Sequence, residues 1–561
     1  MRGFDIRQVP LYIDGIPVYV PYDGYVDMDR FLTYDVSEVQ VSKGFTSPLY
    51  GPNALGGAIS LISAEPTAKL NLDLGAAFGS GGRRGGFINA GSRWRRVWFQ
   101  GGYARTDSDG FPLTSGVLRD NSYQSDGRGR AKIAFTPRGR DVYSFGWVRQ
   151  QGEKGNPPYL GTDPLVRLRY WQWPHWDKQS FYALTHTALP RNSYLRVRAY
   201  RDTFNNLLKS YDDARYNTQT RPSSFTSPYD DDTFGGTVEA GTSSLERQTL
   251  KTSFYFKDDT YREGNLGEPL RSFRDQNYSF GLEDTIRLRG AWSAILGMSI
   301  DRQSVRNAEN FVNGQVLPFP LATTTTFNPQ AGLFGGIGAN GRFHATISRK
   351  TRLPTIKDRY SYRLGQAIPN PGLREERALH YEAGYSHLIG TRTFLEGSAF
   401  ASSISNSTQR FFLQPNLFQF RNLGEARHLG VEFSARSRLH RTLDGTLGNT
   451  FLNRRNLSHP ELLLIDTPRH KTFASLAWTP LRRLSLLADL HHEAGRWNQN
   501  EASRFLRAPS YALLSLAGSF QIARGADLRA GLNNLLNRNY WLVAGYPETG
   551  RNWFLKMRYR F

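Results

Sequence analysis

The chain has 561 residues, with 71 Lys and Arg against 49 Asp and Glu, a formal net charge of +22 and no cysteine. Mean hydropathy is −0.52, and no apolar run reaches the ~18 residues a membrane-spanning helix needs, so a helical membrane protein is excluded while a transmembrane β-barrel is not. Without Cys there is no disulfide framework, no thiolate metal site and no cysteine nucleophile.

Taken from the start, Arg2-Gly3-Phe4 is followed by Leu11-Tyr12-Ile13-Asp14-Gly15-Ile16-Pro17-Val18. Next comes Tyr19-Val20-Pro21-Tyr22-Asp23-Gly24-Tyr25, a Pro- and Gly-bearing loop with three tyrosines. Then Asp35 to Gly44 partly alternates Val36, Val39 and Val41 with polar residues, as a half-buried strand does. The segment Leu49-Tyr50-Gly51-Pro52-Asn53-Ala54-Leu55-Gly56-Gly57-Ala58-Ile59 reads as a tight, glycine-rich connection. Glu65-Pro66 closes this first unit, because Pro interrupts strand pairing.

Beyond residue 66 short period-two segments recur, such as Leu70, Leu72 and Leu74, then Leu195, Val197 and Ala199, then Leu528, Ala530 and Leu532. This alternation is the signature of a barrel that faces lipid on one side and a wet lumen on the other. Polar stretches at 152–163, 212–232, 307–328 and 453–464 read as long loops, and 136–140 and 479–482 as short turns. The run Tyr170-Trp171-Gln172-Trp173-Pro174-His175-Trp176 fits an interfacial girdle, with a ligand-stacking surface as the alternative. Asp212-Asp213, Asp230-Asp231-Asp232 and Asp258-Asp259 read as solvated loop charge, with calcium binding as the alternative. In the last strand, Trp553, Leu555, Met557, Tyr559 and Phe561 share one apolar face, opposite Phe554, Lys556, Arg558 and Arg560. On a soluble sheet that apolar row would invite aggregation.

The ordered motifs of residues 1 to 59 resemble the plug domain of TonB-dependent outer-membrane receptors. Arg352-Leu353-Pro354, Asn370-Pro371-Gly372-Leu373, Glu375, Glu376, Glu382 and Gly384 extend the likeness. So do Asn422-Leu423-Gly424, Gly430-Val431-Glu432, Asn533-Asn534-Leu535-Leu536-Asn537, Tyr540 and Gly550-Arg551. The resemblance implies an all-β membrane protein: a C-terminal plug portion over residues 1–66 and an antiparallel transmembrane barrel of about 22 strands over 67–561. It also implies a signal peptide, a TonB-box peptide and the first half of the plug ahead of Met1, so the chain is expected to begin within the plug.

The implied function is transport, not catalysis: a receptor in the bacterial outer membrane that binds and imports a scarce nutrient, either a ferric siderophore or a cobalamin-like corrinoid. Its implied partners are that small-molecule ligand, the TonB-ExbB-ExbD complex, the barrel assembly machinery and outer-membrane lipids. The loop bearing Tyr19, Tyr22 and Tyr25 is expected at the plug apex as the ligand-binding surface, with plug-to-barrel packing as the alternative. The apolar row ending at Phe561 resembles the insertion signal of outer-membrane barrels. Haem receptors of the family carry a His between the Arg352-type and Asn370-Pro371-type boxes; His344 and His380 both lie outside that interval, so haem is not expected. No catalytic constellation, metal site or cofactor is expected. His491 and His492 point to opposite sides of a strand. The basic charge raises nucleic-acid binding, but the cations are scattered and no recognition motif accompanies them, so nucleic acid is not an expected partner. The rival readings are a passive porin-like or adhesin barrel and a soluble basic β-rich enzyme or nucleic-acid binder.

Overall fold

In the computed structural model, which describes residues 1–362 and 365–561, an all-β barrel surrounds a small N-terminal sheet. The barrel is a closed antiparallel ring of 22 strands. It starts at Asn71–Gly79 and ends at Asn552–Arg560, and these two strands pair to close it. Closure leaves no free edge and pairs every strand's backbone, which is what a membrane-spanning sheet requires. The Arg558 guanidinium donates to Asp73 at 2.8 Å across this seam. Trp553, Leu555, Met557, Tyr559 and Phe561 all lie exposed on the outer surface.

Several strands outrun the bilayer. Tyr170–Leu189 and Ser293–Val312 have 20 residues each, roughly twice the 9–11 a tilted strand needs to cross. The expected loop boundaries are corrected accordingly. The strand Val142–Asn156 takes the start of the 152–163 stretch, and Phe225–Thr242 takes residues 225–232 of the next. The 307–328 stretch holds the end of Ser293–Val312, a hairpin strand at Gln315–Pro318 and the start of Thr323–Ile337. Polar alternation is as compatible with a strand standing in water as with a loop, and sequence alone does not separate them.

The N-terminal sheet contains β1 (Leu11–Ile13), β2 (Ile16–Val18), β3 (Val36–Lys43) and β4 (Gly57–Ser63), in the order β2-β1-β4-β3. β1 and β4 run parallel, while β3 and β4 form an antiparallel pair. Leu11, Val26 and Leu61 make its small core. Phe4, Val9 and Leu55 pack instead on the barrel residues Ala378, Ile404 and Ala426, so the sheet shares a core with the wall. The Gly56-Gly57 pair is dictated by space: a Cβ on Gly56 would lie 2.4 Å from the Phe4 Cβ, and one on Gly57 2.3 Å from the Ser42 carbonyl. Gly57 also has φ +140°, which L side chains rarely adopt.

Candidate functional site

Two regions of the lumen gather charged and aromatic side chains. In the lower one, charged residues of the N-terminal sheet meet the barrel wall. Alternation along the strand Gln124–Phe135 turns Asp126, Arg128, Arg130 and Lys132 inward, and each meets a partner from the sheet region. Arg30 pairs with Asp126 at 2.7 Å. Asp35 is shared between Arg128 at 3.2 Å and Arg130 at 2.8 Å, and Asp14 meets Lys132 at 3.1 Å. Burial pushes the Asp14 carboxyl up, but Lys132 and two hydrogen bonds from Ser63 outweigh it and hold the group below the usual carboxylate range. On another wall Arg2 grips Glu382 through two bonds of 2.8 Å and reaches Glu432 at 2.9 Å. Lys43 meets Glu432 at 3.0 Å. Glu382 and Glu432, motif positions in the sequence, hold Arg2 in the structure.

Above this region lies a cavity of about 1120 Å³, lined by both the N-terminal loop and the wall. The loop is a closed hairpin, since the Val20 N–H donates to the Tyr25 carbonyl and the Gly24 N–H to the Val20 carbonyl, both at 2.9 Å. Tyr22 and Tyr25 line the cavity, whereas Tyr19 does not. The Tyr19 hydroxyl donates to Asp259 at 2.8 Å, and the Lys257 ammonium sits 4.3 Å from its ring centre, so Tyr19 packs the loop onto the wall. Tyr22 stacks on Tyr261 with ring centres 4.4 Å apart. Tyr25 remains 42% exposed to the open space. Asp23 anchors the hairpin to Lys357 of the short helix Ile356–Tyr360 at 2.9 Å. Burial alone would raise the Asp23 carboxyl; Lys357 and then Arg7 pull it below its ordinary value.

The tryptophan run is not a girdle: Trp171, Trp173 and Trp176 all line the cavity. Strict alternation would put Trp176 opposite the other two. A bulge between Gln172 and His175 adds one residue and reverses the parity, bringing all three indoles inward. Pro174 sits within it, a position where its missing N–H costs no ladder bond. The Lys154 ammonium lies 5.5 Å and 5.3 Å from the Trp173 and Trp176 rings.

The aspartate clusters at 230–232 and 258–259 are likewise strand residues, not loop charge. Outward Asp232 and Asp258 pair with Arg201 and Arg274 at 2.8 Å and 2.7 Å. Inward Asp259 meets Lys257 at 2.5 Å. Asp212 staples its own loop by accepting from the Thr220 and Arg221 N–H groups. Among the described residues no group of three His, Cys, Asp or Glu side chains is placed to hold a metal ion. His380 bonds to the Leu55 carbonyl and Ser402, each at 2.8 Å, and His344 lies 3.4 Å from Glu382.

Comparison with known proteins gives two family matches. Residues 1–58 match the TonB-dependent Receptor Plug Domain, and residues 118–535 match the family described as TonB dependent receptor-like, beta-barrel. Among solved structures, the copper transporter OprC is 16% identical with a TM-score of 0.88, covering 100% of this chain and 91% of its own. The FrpB iron transporter from Neisseria meningitidis (F3-3 variant) is 16% identical with a TM-score of 0.80, covering 100% and 93%. The siderophore receptor PiuA from Acinetobacter baumannii is 13% identical with a TM-score of 0.81, covering 100% and 90%. At these identities the structural likeness speaks to the fold alone. The passive-pore and adhesin alternatives find no support, since a plug match accompanies the barrel match.

Proposed function

This chain belongs to the TonB-dependent receptors of the bacterial outer membrane, and from that premise we propose that it captures a ferric siderophore or a cobalamin-like corrinoid in the cavity above the plug. It is a transporter and not an enzyme. The observation that carries the choice of ligand class is the lining: Tyr22 and Tyr25 from the plug face Trp171, Trp173 and Trp176 from the wall across about 1120 Å³. Large flat side chains bury the body of a bulky, partly polar ligand at little entropic cost, and the volume suits a chelate better than a bare ion.

A bare soft metal fits these residues poorly. Copper(I) favours thiolate and thioether ligands; the chain has no Cys and four Met, of which Met557 faces outward and Met28 is half exposed. Capture on the cavity is passive in this reading. The TonB-ExbB-ExbD complex supplies the work of release and passage, the assembly machinery reads the Phe561 strand end, and lipid contacts the outward apolar band.

The test is equilibrium binding of the purified chain to a ferric catecholate, a ferric hydroxamate and cyanocobalamin, paired with transcript response to iron and to cobalamin limitation. Saturable binding of one chelate, with induction by the matching limitation, is expected. Failure of all three to bind, with solute flux through the protein in vesicles, would overturn it.

A further inference from the structure

Resting on the receptor reading, the cavity carries a second recognition feature. Asp231, on the strand Phe225–Thr242, is 1% exposed and lines the cavity, yet among the described residues no side chain donates to either carboxylate oxygen, with only the Arg262 backbone N–H nearby. The lysines of this part of the wall are already committed. Lys257 pairs with Asp259 at 2.5 Å, Lys178 with Asp202 at 2.9 Å, and Lys154 with Asp27. Glu263, also on the cavity, accepts from the Tyr261 hydroxyl at 2.5 Å and has Arg271 only at 3.6 Å.

The neighbours of Asp231 are aromatic. Its cross-strand partners are Phe204 on one side and Tyr261 on the other. Trp176 meets Phe204 edge-on at 5.3 Å, and Tyr229 lies 6.1 Å from Tyr261. Ring faces are negative, so they disfavour a bare carboxylate and favour a cation. An unpaired buried carboxylate costs free energy that a ligand's cation would recover. We propose that Asp231, within the cage of Trp176, Phe204, Tyr229 and Tyr261, binds a protonated amine on the transported chelate. The substrate class is thereby narrowed to chelates with a pendant ammonium. Because both oxygens are buried, the ammonium must reach them on a flexible arm.

Titration calorimetry of the full chain with tyramine and with tyrosol, which replaces the ammonium by a hydroxyl, tests this directly. Tyramine should bind saturably and at least about tenfold tighter than tyrosol, the scale of one charge-assisted hydrogen bond. Asp231→Asn should abolish the difference and Asp231→Glu should retain it. Heat-modifiability on gels reports whether each variant keeps its barrel, and the wild-type comparison stands even where a variant does not fold. Equal binding of the two probes, absence of saturable tyramine binding, or a preference that survives in folded Asp231→Asn would each overturn the assignment. In the last case, chelate binding that persists leaves the receptor reading intact; loss of chelate binding in the wild type strikes that reading instead.

Discussion

The strand Gln124–Phe135 and the wall around Trp171–Trp176 present the same kind of inward row to the same lumen, yet they are finished differently. On the first, Asp126, Arg128, Arg130 and Lys132 each have an opposite charge on the plug within 3.2 Å. On the second, indole rings face open volume and Asp231 has no counter-charge among the described residues. Matched charge marks a joint between two parts of one chain. On our proposal, unmatched charge beside flat apolar surface marks a place kept for something the chain does not contain.

The comparison breaks most visibly at Arg2. Arg2→Ala leaves Glu382 with His344 alone and Glu432 with Lys43 alone, at 12% and 16% exposure, and removing one member of a buried pair costs about 3–5 kcal/mol. Plug amides should exchange much faster with solvent in that variant; unchanged exchange would mean the clamp is not a joint. Next in size is the bulge. Deleting Pro174 restores strict alternation and should turn Trp171 and Trp173 to the opposite face, since a one-residue slip reverses sidedness. Ligand affinity should fall by about 2 kcal/mol or more, as for loss of a buried aromatic anchor. Retained affinity in that variant would refute the parity argument.

Acidification gives a smaller, graded effect. Asp14 and Asp23 are both held below the ordinary carboxylate value, as is Asp358, where Arg352 and then Arg7 outweigh burial. A depressed folded-state value stabilises above the unfolded value, about 4, and that contribution is lost as pH falls through the folded value. The contribution of these three carboxylates to plug docking should therefore be constant from neutrality down to about 5 and be lost only below about 4. A transition near neutrality would point to other groups. The smallest equilibrium effect belongs to Phe561→Ser, an exposed change expected within about 0.5 kcal/mol of wild-type stability. Its consequence should be kinetic: less folded barrel in the outer membrane when assembly machinery is limiting, and unchanged levels would remove Phe561 from the insertion signal.

The parts of this fold legible in sequence were those with local causes. The Gly56-Gly57 connection and the alternating strand at the C-terminus follow from sterics and period two. The strand number came from resemblance, because alternation does not count strands. The Trp run was misread because a bulge is invisible to periodicity, although Pro174 inside a strand-like run was a usable signal. The aspartates at 230–232 were misread because a strand in water carries as much charge as a loop. Arg2 meeting Glu382 was out of reach, since 380 residues separate them. The alternation of Arg128, Arg130 and Lys132 with Gly129 and Ala131, by contrast, was a sign of an inward charged face.

The division of the lumen into joint and ligand cavity is tested most directly by measuring affinity for the bound chelate and melting temperature together, in Arg2→Ala and in Tyr22→Ala/Tyr25→Ala. The tyrosine pair should lose about thirtyfold in affinity, the equivalent of about 2 kcal/mol, with a melting point lowered far less than by Arg2→Ala. Arg2→Ala should melt early and, while folded, bind nearly as the wild type does. Unchanged affinity with a lowered melting point in the tyrosine pair would contradict the division and make Tyr22 and Tyr25 part of the joint.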